Sequence, residues 1–176
     1  MIVCSLPRCG ATAFCLDLEE QTGIPFIGEL NPLYMFANKK AEHHETKYQH
    51  DFTPNEFADL IYDKKSSIMM INKSSYLVVD KADYVILRKN MLDAFMSYAN
   101  FMLKLYPDID TKVLLKEIQF TVYDYFGLKS YIDKYVCNIV WYEDYFRTSG
   151  TQTPLLDSHR HGSVIKKAIH DVFTER

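Results

Sequence analysis

The residues best suited to chemistry stand together near the start of the chain. A short apolar run, Ile2 to Cys4, breaks at Ser5-Leu-Pro, and Arg8, Gly10 and Thr12 follow before a segment of helical character. A strand, a tight loop and a helix start in this order direct backbone N–H groups and the positive end of the helix dipole at one point. The loop is therefore predicted to bind a phosphate or sulfate group. An ordinary ATPase or kinase loop has a lysine directly after its last glycine, whereas Ala11 follows Gly10 here, which argues against such a loop.

A second strand–base–helix pattern occurs further along the chain. Residues 84–87 are apolar, Arg88 and Lys89 follow them, and Ser97 lies within the next helical segment. An arginine can direct two donors at one phosphate, whereas a lysine acts as a point charge. The pattern predicts a second anion site, although a helix start with loose surface charges would show the same residues.

The elements that would position these residues alternate along the chain. Strands are predicted at 2–4, 24–28, 67–72, 83–87 and 136–141, and helices at 11–21, 33–45, 54–63, 90–106, 111–126 and 163–174. The segment 24–28 is a short strand or an extended turn that ends just before Glu29. Alternation of this kind predicts an α/β fold, with a mainly parallel sheet covered by helices on both faces. The chain of 176 residues fits one domain, 1–176.

Composition restricts the function classes. The formal net charge of −3 argues against broad nucleic-acid binding. No run of 18 apolar residues is present, so no transmembrane helix is expected. The four cysteines form no CxxC pair and the chain shows no signal-peptide pattern at its start, so a reducing, cytoplasmic setting is the simplest expectation. The histidines show no zinc-binding spacing, so no metal is predicted.

The first loop resembles that of the sulfotransferases that use 3′-phosphoadenosine 5′-phosphosulfate (PAPS). Their Pro-Lys/Arg-Ser-Gly-Thr/Ser-Thr loop holds the 5′-phosphate of the donor. Here the loop reads Pro7-Arg8-Cys9-Gly10-Ala11-Thr12, which matches at proline, base, glycine and final threonine. It departs at Cys9 and Ala11, where the family has hydroxyls.

Three later segments extend the resemblance. The family carries a strand-end Arg and a Ser on the next helix, which together hold the 3′-phosphate of PAPS. This implies that role for Ser97 and Arg88, with Lys89 in support. Residues 139–145 resemble a Tyr-Glu-Asp element that braces the sheet, which implies a structural role for its acidic pair. Arg160 begins a loop similar to an Arg-Lys-Gly loop over the 3′-phosphate, although a solvated turn before the last helix is the better explanation of these three residues.

The resemblance implies a three-layer, P-loop-like α/β fold and sulfuryl transfer from PAPS to a hydroxyl or amine of a small-molecule or glycan acceptor. Gly28-Glu29 fits a branch of the family with a glutamate base, so Glu29 is the predicted general base, although a carboxylate at a helix start that favours the helix dipole is the structural alternative. Arg8 would stabilise the leaving phosphate, and Lys73 is a weaker candidate for contacting the sulfuryl group. Residues 30–65 would form most of the acceptor side.

Two other functions fit the same residues. A nucleotide or nucleoside kinase with an altered loop would need no 3′-phosphate on its ligand. A non-catalytic nucleotide-binding relative would explain the missing loop hydroxyls. The residues do not determine the acceptor or the oligomeric state.

Overall fold

The computed structural model of the chain describes residues 1–30, 67–72, 79, 81–135, 137–147 and 153–174. The predicted helices at 33–45 and 54–63 lie outside the described residues. So do Lys73 and nearly all of the predicted acceptor region.

Five parallel strands form the sheet. They are β1 (Ile2–Ser5), β2 (Phe26–Leu30), β3 (Ile68–Asn72), β4 (Tyr84–Leu87) and β5 (Asn138–Trp141), in the order β2-β3-β1-β4-β5. All four residues of β1 are buried. Because successive side chains of a strand point to opposite faces, both faces of β1 are covered. The prediction of an α/β fold with a parallel sheet flanked by helices is confirmed.

The described residues form six helices. They are α1 (Ala11–Thr22), α2 (Met91–Leu105), α3 (Thr111–Lys134), α4 (Tyr142–Phe146), α5 (Pro154–Ser158) and α6 (Gly162–Thr174). Local signals account for several ends: Gly23 ends α1 in a left-handed conformation, and the side chains of Asn90 and Asp110 cap the starts of α2 and α3. None of the described helices is long and apolar enough to cross a membrane.

The structure corrects the predicted end of one helix. The helix starting at Thr111 was predicted to stop at Gly127, but α3 continues to Lys134. Leu128 and Tyr131 are buried beyond the glycine. Burying each of these side chains contributes about 1.5–3 kcal/mol, more than the roughly 1 kcal/mol that a glycine costs inside a helix. Tertiary packing therefore carries the helix through Gly127.

Two smaller differences concern β2 and α6. Glu29 was expected just beyond a strand but lies within β2. Helical spacing places Val164, Ile165 and Ile169 along one apolar face of α6, yet Val164 is 57% exposed, whereas Ile165 and Ile169 are buried.

The order of the strands locates the point where a ligand would bind. The chain passes from β1 to β2 and β3 on one side of β1, and then crosses to β4 on its other side. In open parallel sheets, ligands bind outside the carboxyl ends of the strands at such a switch. The loops that leave β1 and β4 begin there, and they carry Arg8 and Arg88.

Candidate functional site

The loop after β1 leads into a row of backbone N–H donors at the start of α1. Phe14 N–H is the first within α1 to find a carbonyl in its own helix, that of Gly10 at 3.1 Å. The N–H groups of the four preceding residues have no acceptor within the helix. No side chain caps the helix at Gly10, and its first turn contains no acidic residue. The positive end of α1 is therefore available to an anion.

Two residues of this loop adopt left-handed backbone conformations. Gly10 has φ of 81°, and Arg8, which is not a glycine, has φ of 68°. Left-handed conformations in residues other than glycine are uncommon and concentrate at functional sites. Turns that combine right- and left-handed residues direct successive N–H groups into a concavity that binds anions.

Gly10 is required by packing as well as by conformation. A Cβ atom at this position would lie 2.6 Å from the ring of Tyr142 and 2.8 Å from that of Phe146. Both rings belong to α4, which follows β5. The loop after β1 therefore packs directly against aromatic side chains that lie more than 130 residues later in the sequence.

The two departures from the sulfotransferase loop lie in the hydrophobic core. The side chains of Cys9 and Ala11 are both buried. Burial raises the pKa of the Cys9 thiol to about 12, although the neighbouring Arg88 opposes this rise. The thiol is therefore protonated and unreactive at neutral pH. Since both side chains point into the core, neither is placed to bind an anion at the loop.

Arg88 joins the end of β4 to this loop. Its side chain is nearly buried, with 7% of the residue exposed. Its Nε donates a hydrogen bond of 3.0 Å to the carbonyl oxygen of Arg8, and its guanidinium lies 4.2 Å from the centre of the Tyr142 ring. The hydrogen bond holds the residue that has the unusual φ, so Arg88 supports the shape of the loop.

The side chain of Arg8 contacts α2. Its Nε lies 3.4 Å from Ser97 Oγ, and its guanidinium lies 4.9 Å from the centre of the Phe101 ring. Arg8 is exposed, whereas Ser97 is buried. The two predicted anion-binding segments are thus neighbours: Arg8, Arg88 and Ser97 meet at the carboxyl ends of β1 and β4.

Lys89 is engaged by α4. Its Nζ lies 2.5 Å from Asp144 Oδ1, and its backbone N–H donates to Glu143 Oε2 at 2.9 Å. The ion pair is exposed on both sides, so it contributes little to stability. Through these two contacts, the acidic pair lies beside the loop after β4.

Glu29 lies two strands away from the loop. It is opposite Met70 of β3, which in turn is opposite Val3 of β1. Adjacent strands are about 4.8 Å apart, so the backbone of Glu29 is about 10 Å from that of β1. The sulfur of Met70 lies 3.8 Å from Thr12 Oγ1 in the first turn of α1. Met70, the cross-strand neighbour of Glu29, thus contacts the start of α1.

Arg160 is exposed on the turn between α5 and α6. The start of α5 is attached to α2, because Asn100 Oδ1 accepts hydrogen bonds from Leu155 and Leu156 N–H at 2.9 and 3.1 Å. Asn100 is one helical turn beyond Ser97. Among the described residues, no hydrogen bond or ion pair joins Arg160 to the loop after β1.

Two surface cavities, of about 490 and 620 Å³, lie away from the two loops. The smaller one lies between α3 and α6, and the larger one beside the turn between α2 and α3. Neither is lined by Arg8, Arg88 or Ser97. The convergence of donors at the strand ends, rather than cavity size, identifies the candidate site. Within the described residues, no cluster of His, Cys, Asp and Glu could hold a metal ion.

Sequence reasoning missed the aromatic partners of the two arginines. Phe101 lies one helical turn after Ser97, and Tyr142 follows directly after β5, which is next to β4. The position of Tyr142 at the carboxyl end of a strand adjoining the switch point was the available signal. No protein-family model matches the chain, and no curated protein is significantly similar to it.

Proposed function

We propose that this protein is a sulfotransferase that uses PAPS as donor and has a three-layer, P-loop-like fold. The observation that carries the proposal is the meeting of two strand–loop–helix segments at the switch point, with Arg8 in contact with Ser97. Two neighbouring anion sites suit a nucleotide that carries phosphate groups at both its 5′ and 3′ positions. A cytoplasmic setting belongs to the same proposal and is supported by four cysteines that form no disulfide.

The proposed reaction joins an acceptor oxygen or nitrogen to the sulfur of PAPS. The bond between sulfur and the 5′-phosphate oxygen breaks, and its electron pair remains on that oxygen. Backbone N–H groups of the loop stabilise the negative charge that develops there. Glu29 accepts the proton of the acceptor. Lys73, which follows directly after β3, contacts the sulfuryl group.

The first experiment compares nucleotides by thermal stability. A ligand that binds only the folded state at 100 times its Kd stabilises it by about 2.7 kcal/mol, which raises the Tm of a domain of this size by roughly 5–10 °C. We expect this rise with 3′-phosphoadenosine 5′-phosphate (PAP) and a much smaller one with AMP at the same concentration. Equal shifts would favour a nucleotide kinase, and the absence of both would refute the proposal.

The second experiment measures transfer of radiolabelled sulfate from PAPS to a panel of phenols, alcohols, amines and glycans. Glu29→Gln should bind PAP like the wild type and lose turnover. Glu20→Gln is the matched control, because Glu20 is an exposed residue of α1. PAP binding without transfer to any acceptor would favour a non-catalytic binding protein.

A further inference from the structure

The side chains of Arg8 and Arg88 in the candidate site differ in their burial and in their hydrogen-bond partners. The guanidinium of Arg88 is buried, donates to the carbonyl oxygen of Arg8 and lies against the ring of Tyr142. Arg8 is exposed, and its Nε lies 3.4 Å from Ser97 Oγ. The resemblance assigned the 3′-phosphate to Arg88 and the 5′ end to Arg8.

We propose a different division of roles: Arg8 selects for the 3′-phosphate together with Ser97, and Arg88 binds no phosphate itself but is a positioning residue for the loop. This inference rests on the proposed function, because it concerns how the same site recognises its nucleotide. According to this inference, Arg8 in the loop after β1 distinguishes nucleotides with a 3′-phosphate from those without one, whereas the resemblance gave this role to Arg88 at the end of β4.

The contacts of Arg88 carry the first half of the inference. The hydrogen bond from its Nε to the Arg8 carbonyl oxygen holds the peptide unit that leads into the first N–H groups of α1. The ring of Tyr142 lies 4.2 Å from the guanidinium and also packs against Gly10. Loss of the Arg88 side chain would therefore release the loop. Every ligand with a 5′-phosphate would be affected, whether or not it carries a 3′-phosphate.

The position of Arg8 carries the second half. At 3.4 Å, its contact with Ser97 Oγ is longer than a good hydrogen bond, so a phosphate oxygen can replace it at little cost. A phosphate between the two groups would accept from both the guanidinium and the hydroxyl, and arginine is well suited to paired hydrogen bonds with phosphate. The Phe101 ring supports the guanidinium from one side.

The test measures the Kd of PAP and of AMP by titration calorimetry in the wild type and in single variants. Arg8→Ala should reduce the preference for PAP over AMP by about 10- to 100-fold, the effect of losing a charged hydrogen bond, and leave the Kd of AMP within twofold. Ser97→Ala should reduce the same preference by a smaller factor. Arg88→Ala should weaken both nucleotides by the same factor. Lys104→Ala removes one positive charge from the exposed end of α2 and should change neither Kd.

Three results would overturn the inference. Arg8→Ala could weaken AMP as much as PAP, it could leave the preference for PAP intact, or Arg88→Ala could abolish the preference while sparing AMP. If Arg88→Ala does not fold, Arg88→Lys retains the charge without the Nε donor and is measured instead, and the Arg8→Ala result still decides. If the wild type binds PAP no better than AMP, the proposed function itself is refuted; this result is distinct from the three that overturn only the inference about Arg8 and Arg88.

Discussion

Replacement of Gly10 by alanine tests whether the loop after β1 is shaped by the aromatic rings of α4. Gly10 and Gly23 both have left-handed backbones, with φ of 81° and 68°. They differ in their surroundings: a Cβ at Gly10 would meet Tyr142 and Phe146 at 2.6 and 2.8 Å, whereas a Cβ at Gly23 would have nothing within 4 Å. Gly23→Ala is therefore a matched control for the cost of the backbone conformation alone.

The magnitude follows from these two contributions. A left-handed conformation costs an alanine about 1–2 kcal/mol, and the loss of glycine's freedom in the unfolded chain offsets about 0.4–1 kcal/mol of it. Gly23→Ala should therefore lower the free energy of unfolding by about 1 kcal/mol. Overpacking against the two rings adds about 1–3 kcal/mol for Gly10→Ala. At 2–4 °C per kcal/mol, the Tm should fall by roughly 3 °C for Gly23→Ala and roughly 9 °C for Gly10→Ala.

The assay is calorimetric unfolding of the wild type and both variants, with and without PAP. Movement of the Tyr142 ring would also disturb its contact with Arg88, so Gly10→Ala should lose the rise in Tm on adding PAP, and Gly23→Ala should keep it. Equal decreases in Tm for the two variants would refute the packing argument. A full PAP response in Gly10→Ala would refute the link between this glycine and the anion site.

Three further predictions concern the core. Tyr131→Phe removes the hydroxyl that accepts from Ala82 N–H at 2.7 Å, so the free energy of unfolding should fall by about 1–3 kcal/mol in urea denaturation, and an unchanged midpoint would contradict this. Burial raises the pKa of the Cys9 thiol from 9.0 in the unfolded chain to about 12 in the folded protein. As the pH rises, the unfolded chain therefore loses this proton at a lower pH than the folded protein does. The free energy of unfolding should be unaffected by this group below pH 9 and should decrease as the pH rises from 9 towards 12. Cys9→Ala should reduce that slope by about 1.4 kcal/mol per pH unit, and an identical slope would show that the thiol is not buried. Iodoacetamide at pH 8 should modify only Cys137 in the folded protein, because the other three thiols are buried; rapid modification of a second thiol would contradict their burial.

Much of the fold could be predicted because its signals are local. The apolar runs that became β1, β3 and β4 are bounded by polar or turn residues, and Gly23, Asn90 and Asp110 mark helix ends within their own few residues. The loop between β1 and α1 was predicted in the same way. Its basic residue, its glycine and the following helix are adjacent in sequence, so no long-range contact was needed to recognise them.

The arrangement of the candidate site depended on tertiary structure. Arg8 meets Arg88 and Ser97 across 80 and 89 residues, and these contacts exist because β1 and β4 are neighbours in the sheet. The passage of α3 through Gly127 and the position of Tyr142 against Gly10 likewise follow from packing between distant segments. The amino-acid sequence by itself determined which segments could bind an anion, since that depends on neighbouring residues. Only the folded chain decided which arginine shapes the loop and which one reaches Ser97, because burial and contact energies depend on what the topology brings together.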